Sequence, residues 1–331
     1  MILDKKNISA ITAYLQSRQL INADETVLHA EKPGEGNMNY VLRITLPQRS
    51  LILKQARPYV EKYPSIPAPE ERVIIEGEFY KLVQENAALK SSMPAIFEVD
   101  KANHILVLED LGEAKDFTFL YQQSNQLSLK EAKALSKFIS VLHNSSKPGG
   151  VNELMANRKL RALNHEHIFM YPLMVDNGFD LNSIQQGLQE LAMPFKNNEA
   201  LKQAAKELGA VYLKDGDTLL HGDYYPGSWL KTGNGVKVID PEFCFYGARE
   251  FDLGVMMAHL KMAQQADEIT GLVLSSYQKP DGFDDDLFRA FIGMEIIRRI
   301  IGLAQLPLTL TLAQKESLLD EALRLLNISK G

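Results

Sequence analysis

Short runs of apolar and β-favouring residues, separated by turn residues, dominate the first third of the chain and predict strands. The predicted strands span residues 26–31, 40–46, 51–55, 95–99 and 104–109. Residues 73–86 differ, because their apolar side chains recur at close to helical spacing and predict a helix. Residues 58–71 contain several prolines and predict an exposed, irregular loop. The pattern therefore predicts an α+β unit that ends near residue 110.

Longer amphipathic patterns follow and predict a mainly helical region. Ser128 is the expected N-cap of its first helix, with Glu131 three residues later as in a capping box. The predicted helices span 128–144, 152–163, 181–191, 199–215, 250–264, 269–278, 284–306 and 311–326. A strand, a Gly-Asn-Gly turn and a second strand interrupt the helices between Asp223 and Asp240. We therefore expect two domains, residues 1–110 and 111–331.

Composition limits the possible functions. A net charge of −6 argues against a broad nucleic-acid-binding surface. Because Cys244 is the only cysteine, an intramolecular disulfide and a multi-cysteine zinc site are excluded, which suits a reducing cytoplasm. No apolar run approaches the roughly 18 residues of a transmembrane helix. We expect a cytoplasmic protein with neither a membrane nor a nucleic acid as its partner.

The segment HGDYYPGS contains the first candidate catalytic residue, Asp223. Phosphoryl transfer to a hydroxyl needs a carboxylate that takes the proton and aims the oxygen in line. Taken alone, His221-Gly222-Asp223 could equally be an ordinary turn, since Gly-Asp pairs are common in turns. The sequence Val-Ile-Asp-Pro-Glu downstream favours the catalytic interpretation. Ser228 could hold Asp223 or reach a metal through water, or it could simply follow Gly227 in the turn.

Asp240 and Glu242 end this segment, after the apolar strand that precedes them. Mg²⁺ prefers oxygen ligands and usually takes one or two carboxylates together with substrate phosphates and water. Pro241 restricts the backbone between the two side chains. We therefore expect Asp240 and Glu242 to hold Mg²⁺. The alternative is an exposed acidic turn after an edge strand.

A glycine-rich loop and a lysine in the first domain could bind phosphates. Backbone N–H groups of the loop GEGNMN could approach phosphate oxygens, although many hairpins have Gly-Asn turns. The candidate residues in this loop are Gly34, Gly36, Asn37 and Asn39. Lys54 lies in the apolar strand LILKQ and needs a partner if it is buried, either Glu76 or, in reserve, Glu78. Otherwise Lys54 faces solvent on an edge strand.

Arg298 and Arg299 lie in a helix that is apolar on almost every side. Neighbouring helix positions point about 100° apart, so at least one guanidinium should border the interior and need an anionic partner. A phosphate group fits this need. A structural salt bridge to Glu295 is the alternative.

Taken together, these segments resemble the aminoglycoside phosphotransferase-like superfamily, which includes choline, fructosamine and homoserine kinases. Within it the chain looks most like the methylthioribose kinase branch. The resemblance covers nearly the whole chain. Its most specific matches are HGDYYPGS, VIDPEFCFYG with the later FDLG, and the twin arginines of EIIRRIIGLA.

The resemblance implies a protein kinase-like bilobal fold. The small lobe, residues 1–110, would hold an antiparallel sheet with one main helix and bind the nucleotide, and the larger, mostly helical lobe, residues 111–331, would carry catalysis and substrate binding. The segment Glu109–Leu111 would be the hinge that contacts adenine through its backbone. The resemblance further implies ATP and Mg²⁺ as cofactors, a small-molecule hydroxyl acceptor such as methylthioribose or a related sugar, and a homodimer.

Two departures from the family pattern fall near the expected acceptor. Tyr224, Tyr225 and Pro226 stand where the family commonly has Leu-His-Thr, and the loop after the lysine strand lacks the family's tryptophan. Phosphoryl transfer from ATP is therefore better supported than the acceptor. A kinase of another acceptor (choline, homoserine, an amino sugar or an antibiotic) is one alternative, and a nucleotide-binding pseudokinase with a regulatory role is a second.

Overall fold

The chain folds into two compact units in a computed structural model that describes residues 1–34, 38–145 and 153–329. The first unit comprises Met1–Lys115 and Thr232–Phe243, and the second comprises Asp116–Lys231 and Cys244–Gly331. The expected first domain was a single stretch, residues 1–110. The first unit of the structure extends to Lys115 and also includes the later segment 232–243. Within that segment Val238 N donates to Ser92 O at 2.8 Å, which joins the segment to the first unit.

The secondary structure alternates between strand-rich and helical regions. The strands are β1 (His29–Glu31), β2 (Tyr40–Thr45), β3 (Ser50–Gln55), β4 (Tyr59–Val60), β5 (Tyr63–Pro67), β6 (Ile96–Asp100), β7 (Ile105–Glu109), β8 (Lys115–Asp116), β9 (Thr218–Leu220), β10 (Trp229–Thr232), β11 (Gly235–Val238) and β12 (Phe245–Gly247). The helices are α1 (Ile8–Ser17), α2 (Arg72–Gln84), α3 (Ala87–Lys90), α4 (Leu129–Ser145), α5 (Arg158–His165), α6 (Leu188–Lys196), α7 (Glu199–Tyr212), α8 (Phe251–Met262), α9 (Asp267–Ser276), α10 (Asp285–Ile301) and α11 (Leu312–Leu325).

A five-stranded antiparallel sheet in the order β1-β2-β3-β7-β6 forms the centre of the first unit. Side chains alternate between the two faces along each strand. Leu53 of β3 therefore lies in the apolar core that α1 covers, and Lys54 points to the other face. Leu106 is the neighbour of Lys54 on β7 and packs against α2 at Gly77. The alternation thus directs Lys54 toward the face that α2 covers.

The helices of the second unit pack around α8 and α10. Nearly every residue of α8 is buried, as expected for a helix that is apolar all round. A Cβ atom on Gly254 of α8 would lie 2.8 Å from the Cβ of Phe291 of α10, so glycine is what allows this close approach. In the described part of the chain, no helix combines the length and apolar character that crossing a membrane requires.

Three predicted segments differ from the structure. The predicted irregular loop, residues 58–71, contains β4 and β5, which pair antiparallel, and its prolines are tolerated because a two-stranded ribbon consists of edge strands. The helix predicted over 181–191 begins only at Leu188, after Gly187 takes a left-handed conformation (φ 87°). The helix predicted over 152–163 begins at Arg158, after Asn157 takes the same conformation (φ 48°).

Candidate active site

Lys54 of the first unit lies between two carboxylates. Its Nζ is 2.9 Å from Glu76 Oε1 and 2.8 Å from Asp240 Oδ1. β3 is the middle strand of the sheet and Lys54 is buried, so the alternative of a solvent-facing lysine on an edge strand is wrong. Glu78, the reserve partner, pairs instead with Lys81.

The two carboxylates determine the charge of Lys54. Burial alone would lower the pKa of its ammonium group, but Asp240 and Glu76 outweigh burial and raise the pKa well above its usual range. Lys54 is therefore a permanent cation. A cation held in fixed position on a rigid strand is suited to binding phosphate oxygens.

Asp240 and Glu242 occupy a tight turn at the end of the first unit's later segment. Asp240 has a left-handed backbone (φ 61°), a conformation that aspartate tolerates better than most residues other than glycine. Its side chain is 47% exposed. Pro241–Phe243 form one turn of 3-10 helix, within which Glu242 is buried. Glu242 Oε2 accepts a hydrogen bond from Asn39 Nδ2 at 2.8 Å.

The Asp240–Glu242 pair can supply the donors that Mg²⁺ prefers. Asp240 offers a half-exposed carboxylate and Glu242 a second one two residues away, and both are hard oxygen ligands. Within residues 1–34, 38–145 and 153–329, no group of three or more His, Cys, Asp and Glu side chains is arranged to hold a metal ion.

The remaining candidate residues of the first unit belong to the glycine-rich loop before β2 and to the segment that follows β7. Of the loop candidates, Gly36 and Asn37 lie outside the described residues, and a Cβ atom on Gly34 would meet no heavy atom within 4 Å. Glu109 ends β7, and its backbone N–H donates to Ala95 O at 2.9 Å. Leu111 follows Glu109 by two residues and is partly buried.

Arg43 fixes the predicted hinge between Glu109 and Leu111. Its Nε and Nη2 donate to the two oxygens of Asp110 at 2.7 and 3.0 Å, and Nη2 also donates to Gly112 O at 2.9 Å. Such a bidentate pair restrains both position and orientation. The hinge segment is therefore attached to β2 by its central residue.

In the second unit, Asp252 holds the backbone that precedes Asp223. Its two oxygens accept hydrogen bonds from His221 N at 2.6 Å and from Gly222 N at 2.9 Å. Gly222 has a left-handed backbone (φ 85°), which a residue with a Cβ adopts only at a cost. Burial would raise the pKa of Asp252, but the hydrogen bond from His143 and the other nearby donors lower it overall, so Asp252 stays ionised.

Arg298 and Arg299 both contact Glu295, the structural partner considered for them, and Arg299 also contacts Asp223. Glu295 Oε2 is 3.0 Å from Arg298 Nη1, and its Oε1 is 2.6 Å from Arg299 Nε. Arg299 Nη2 also donates to Asp223 Oδ1 at 3.1 Å. The salt bridge to Glu295 and the position beside Asp223 therefore coexist. Glu295 orients the pair, and Arg299 places a guanidinium against the expected catalytic carboxylate.

Within the second unit, Ser228 and Tyr225 lie beside Asp223 and Arg299. Ser228 Oγ donates to the backbone oxygen of Asp223 at 2.8 Å, so it holds the backbone rather than the carboxylate. The ring of Tyr225 lies over Arg299, with its centroid 4.8 Å from the guanidinium carbon. A Cβ atom on Gly227 would lie 2.4 Å from the Tyr225 hydroxyl, so glycine leaves the room that this ring occupies.

Burial of His259 predicts a loss of stability in acid. Burial lowers the pKa of His259 from 6.5 to about 4, with Glu295 opposing, so the neutral ring is the folded form. The stability this provides is complete above pH 6.5 and is lost as the pH falls toward 4. We expect the free energy of unfolding to fall by about 2 kcal/mol more between pH 8 and pH 5 in the wild type than in His259→Gln. Urea titration at each pH measures the free energy of unfolding. The signal is the fluorescence of Trp229, the only tryptophan, which is buried in the second unit. If the free energy of unfolding changed equally with pH in the wild type and in His259→Gln, a neutral His259 in the folded state would be contradicted.

Sequence reasoning missed several residues that organise the site. Asn39 was considered only for its loop backbone, whereas its side chain contacts Glu242. Asp252 lies within FDLG, which was singled out as a match to the family pattern but not for this residue. Arg72 of α2 and His259 of α8 were also missed, because a polar residue within a helix does not indicate which distant group its side chain contacts.

Comparison with known proteins identifies the family. Residues 29–291 match the phosphotransferase enzyme family. The chain is 30% identical to a methylthioribose kinase of Exiguobacterium sibiricum, over 89% of this chain and 84% of the relative. It is 28% identical to a methylthioribose kinase of Bacillus velezensis, over 85% and 80%.

Solved structures agree on the fold. A spectinomycin phosphotransferase in complex with ADP and spectinomycin superposes with a TM-score of 0.57 at 12% identity, over 96% of this chain and 97% of the other. The choline kinase LicA from Streptococcus pneumoniae gives 0.54 at 13% identity, over 96% and 98%. The predicted α+β, protein kinase-like fold is thus confirmed. The chain belongs to the phosphotransferase enzyme family, as a small-molecule kinase similar to the methylthioribose kinases.

Proposed function

We propose that this protein transfers the γ-phosphate of ATP to a hydroxyl of methylthioribose or a related sugar. The observation that carries the proposal is the Asp223 carboxylate held 3.1 Å from Arg299 Nη2. A carboxylate in this position can accept the proton of an attacking hydroxyl, and the adjacent guanidinium can stabilise the negative charge of the phosphoryl group. Two methylthioribose kinases at 28–30% identity support the acceptor.

The first unit would hold the nucleotide. Lys54 would bind its phosphate oxygens, and the backbone at Glu109 and Leu111 would contact adenine. Asp240 and Glu242 would hold Mg²⁺, which would offset the negative charge of the nucleotide phosphates. Glu76 Oε1 accepts a hydrogen bond from Lys54 Nζ at 2.9 Å and so restricts the position of the ammonium group.

The charges around Asp223 favour a neutral acceptor over a cationic one. Burial would raise the pKa of Glu295, but Arg298 and Arg299 hold it well below its usual range, so Glu295 is an anion. The two carboxylates of Asp223 and Glu295 therefore balance the two guanidiniums. A balanced group of charges provides no excess negative charge for an ammonium group such as that of choline.

An acceptor panel tests the proposal. ADP release is measured with Mg²⁺-ATP and, in turn, methylthioribose, ribose, choline, homoserine, an amino sugar and spectinomycin. We expect the highest kcat/KM with methylthioribose. Phosphorylation of its 1-hydroxyl would give a product whose ³¹P signal couples to the anomeric proton. A preference for choline, homoserine, the amino sugar or spectinomycin would establish the alternative acceptor class. ATP binding without phosphorylation of any compound would favour the pseudokinase.

The oligomeric state, inferred from the family resemblance, and the location, inferred from the cysteine content, are also part of the proposal. A homodimer is expected, and light scattering during size-exclusion chromatography would detect it as twice the mass of the 37.2 kDa chain. A monomer at micromolar concentration would contradict it. A cytoplasmic location follows from the single Cys244 and is testable by fractionation.

A further inference from the structure

A continuous set of hydrogen bonds joins Glu242 to the interior of the first unit. Asn39 Nδ2 donates to Glu242 Oε2 at 2.8 Å, and Arg72 Nε donates to Asn39 Oδ1 at 2.8 Å. These partners determine the orientation of the Asn39 amide, because a carboxylate requires a donor and a guanidinium requires an acceptor. Asn39 and Arg72 are both buried. The carboxylate of Glu242 is therefore held through an amide whose orientation cannot be reversed without losing both bonds.

Arg72 anchors this set. It is completely buried at the start of α2, and its two terminal nitrogens donate to four backbone carbonyls at 2.7–3.3 Å. The carbonyls belong to Met38, Arg57, Tyr59 and Pro69. With all these bonds formed, the guanidinium has a single position. It therefore provides a fixed reference from which Asn39 is oriented.

Arg72 and Glu242 form an ion pair without a direct hydrogen bond. Arg72 Nε lies 3.7 Å from Glu242 Oε2, beyond hydrogen-bond distance, and the amide of Asn39 contacts both groups. A direct, charge-assisted hydrogen bond from the guanidinium would hold the carboxylate more strongly than a bond from a neutral donor. Here the neutral amide of Asn39 donates to Glu242 Oε2, while the guanidinium acts on Glu242 from 3.7 Å.

We infer that Asn39, oriented by Arg72, is a positioning residue that fixes Glu242 for a divalent cation by taking the place of a direct hydrogen bond between Glu242 and Arg72. This inference rests on the proposed function, in which Glu242 holds Mg²⁺. Groups that hydrogen-bond to ligating carboxylates orient them, and their removal typically lowers metal affinity roughly 10- to 100-fold. Asn39 is the last residue of the loop GEGNMN and directly precedes β2, so its side chain links the start of β2 to the carboxylate of Glu242.

Substitution of Asn39 by leucine tests the inference, because leucine has a similar shape but neither bond. We expect Asn39→Leu to weaken Mn²⁺ binding in the presence of ADP about 10- to 100-fold, measured by the electron paramagnetic resonance signal of free Mn²⁺. The KM for Mg²⁺ should rise by a similar factor while the KM for ATP at saturating Mg²⁺ changes little. Serine at position 39 is too short to reach Glu242, so Asn39→Ser should weaken Mn²⁺ binding to a similar extent. It replaces the leucine variant in the experiment if that variant does not fold.

Asn103→Leu is the matched control. Asn103 Nδ2 donates to Asp100 Oδ2 at 2.7 Å, so this variant also removes an amide–carboxylate bond from the first unit. It should bind Mn²⁺ as the wild type does. Equal Mn²⁺ affinity in the wild type and the folded Asn39 variants would overturn the role of Asn39 but not the metal assignment. An equal loss of Mn²⁺ affinity in Asn103→Leu would have the same consequence. A wild type that binds no Mn²⁺ with ADP would overturn both the inference and the metal assignment.

Discussion

Asp223→Asn is expected to lower kcat by about 10²- to 10⁴-fold, the usual contribution of a general base. The amide oxygen of asparagine can still accept the hydrogen bond from Arg299 Nη2, so the local geometry should persist while the proton acceptor is lost. Affinity for ADP should change little, because the residues expected to bind the nucleotide belong to the first unit. Steady-state ADP release and calorimetric titration with ADP measure the two effects separately.

Asp217→Asn is the control for this substitution. Asp217 belongs to the same unit, but its side chain is 53% exposed and pairs with Arg249. The control should retain wild-type kcat. Turnover that survives in purified Asp223→Asn would refute the assignment of Asp223 as the base, and a parallel loss of ADP binding would assign it to nucleotide binding instead.

Glu295→Gln is expected to destabilise the second unit by about 3–5 kcal/mol, the usual cost of removing one partner from a buried ion pair. Glu295 is 2% exposed and contacts both guanidiniums and His259 Nε2 at 3.0 Å. A neutral amide would leave two adjacent buried cations, and among the described residues Asp223 would be the remaining carboxylate within 4 Å of them. Urea titration followed by Trp229 fluorescence measures the loss.

An exposed glutamate of the same unit provides the comparison. Glu321 pairs with Lys261, and both side chains are about one-third exposed. Because water and salt screen such a pair, Glu321→Gln should cost less than about 1 kcal/mol. Similar losses in the two variants would mean that burial of Glu295 contributes little, and its role in orienting the arginines would then have to be abandoned.

Much of the fold could be predicted because its elements repeat a local pattern. Alternation along β3 places Leu53 and Lys54 on opposite faces, and a buried lysine required a nearby carboxylate such as Glu76. Ser128 and Glu131 form the capping box expected from their spacing. In each case the physical cause acts within one element or between adjacent ones.

The remaining features depend on contacts between distant parts of the sequence. Asn39 and Glu242 are 203 residues apart, and nothing near either residue indicates their hydrogen bond. The left-handed conformations at Asn157 and Gly187 shift two helix starts, although each residue type also occurs within helices. The pairing of β4 with β5 overrides a proline content that locally indicates irregular structure.

The return of residues 232–243 to the first unit has a consequence for the exchange of parts between relatives. A fragment ending at Lys115 would contain Lys54 and Glu76 but neither Asp240 nor Glu242. A chimera that takes its first unit from another kinase must therefore include two separate pieces of that kinase's chain. The residue equivalent to Lys54 then keeps the carboxylates of its own parent. Recombination at a single crossover would instead join the lysine of one parent to the carboxylates of the other.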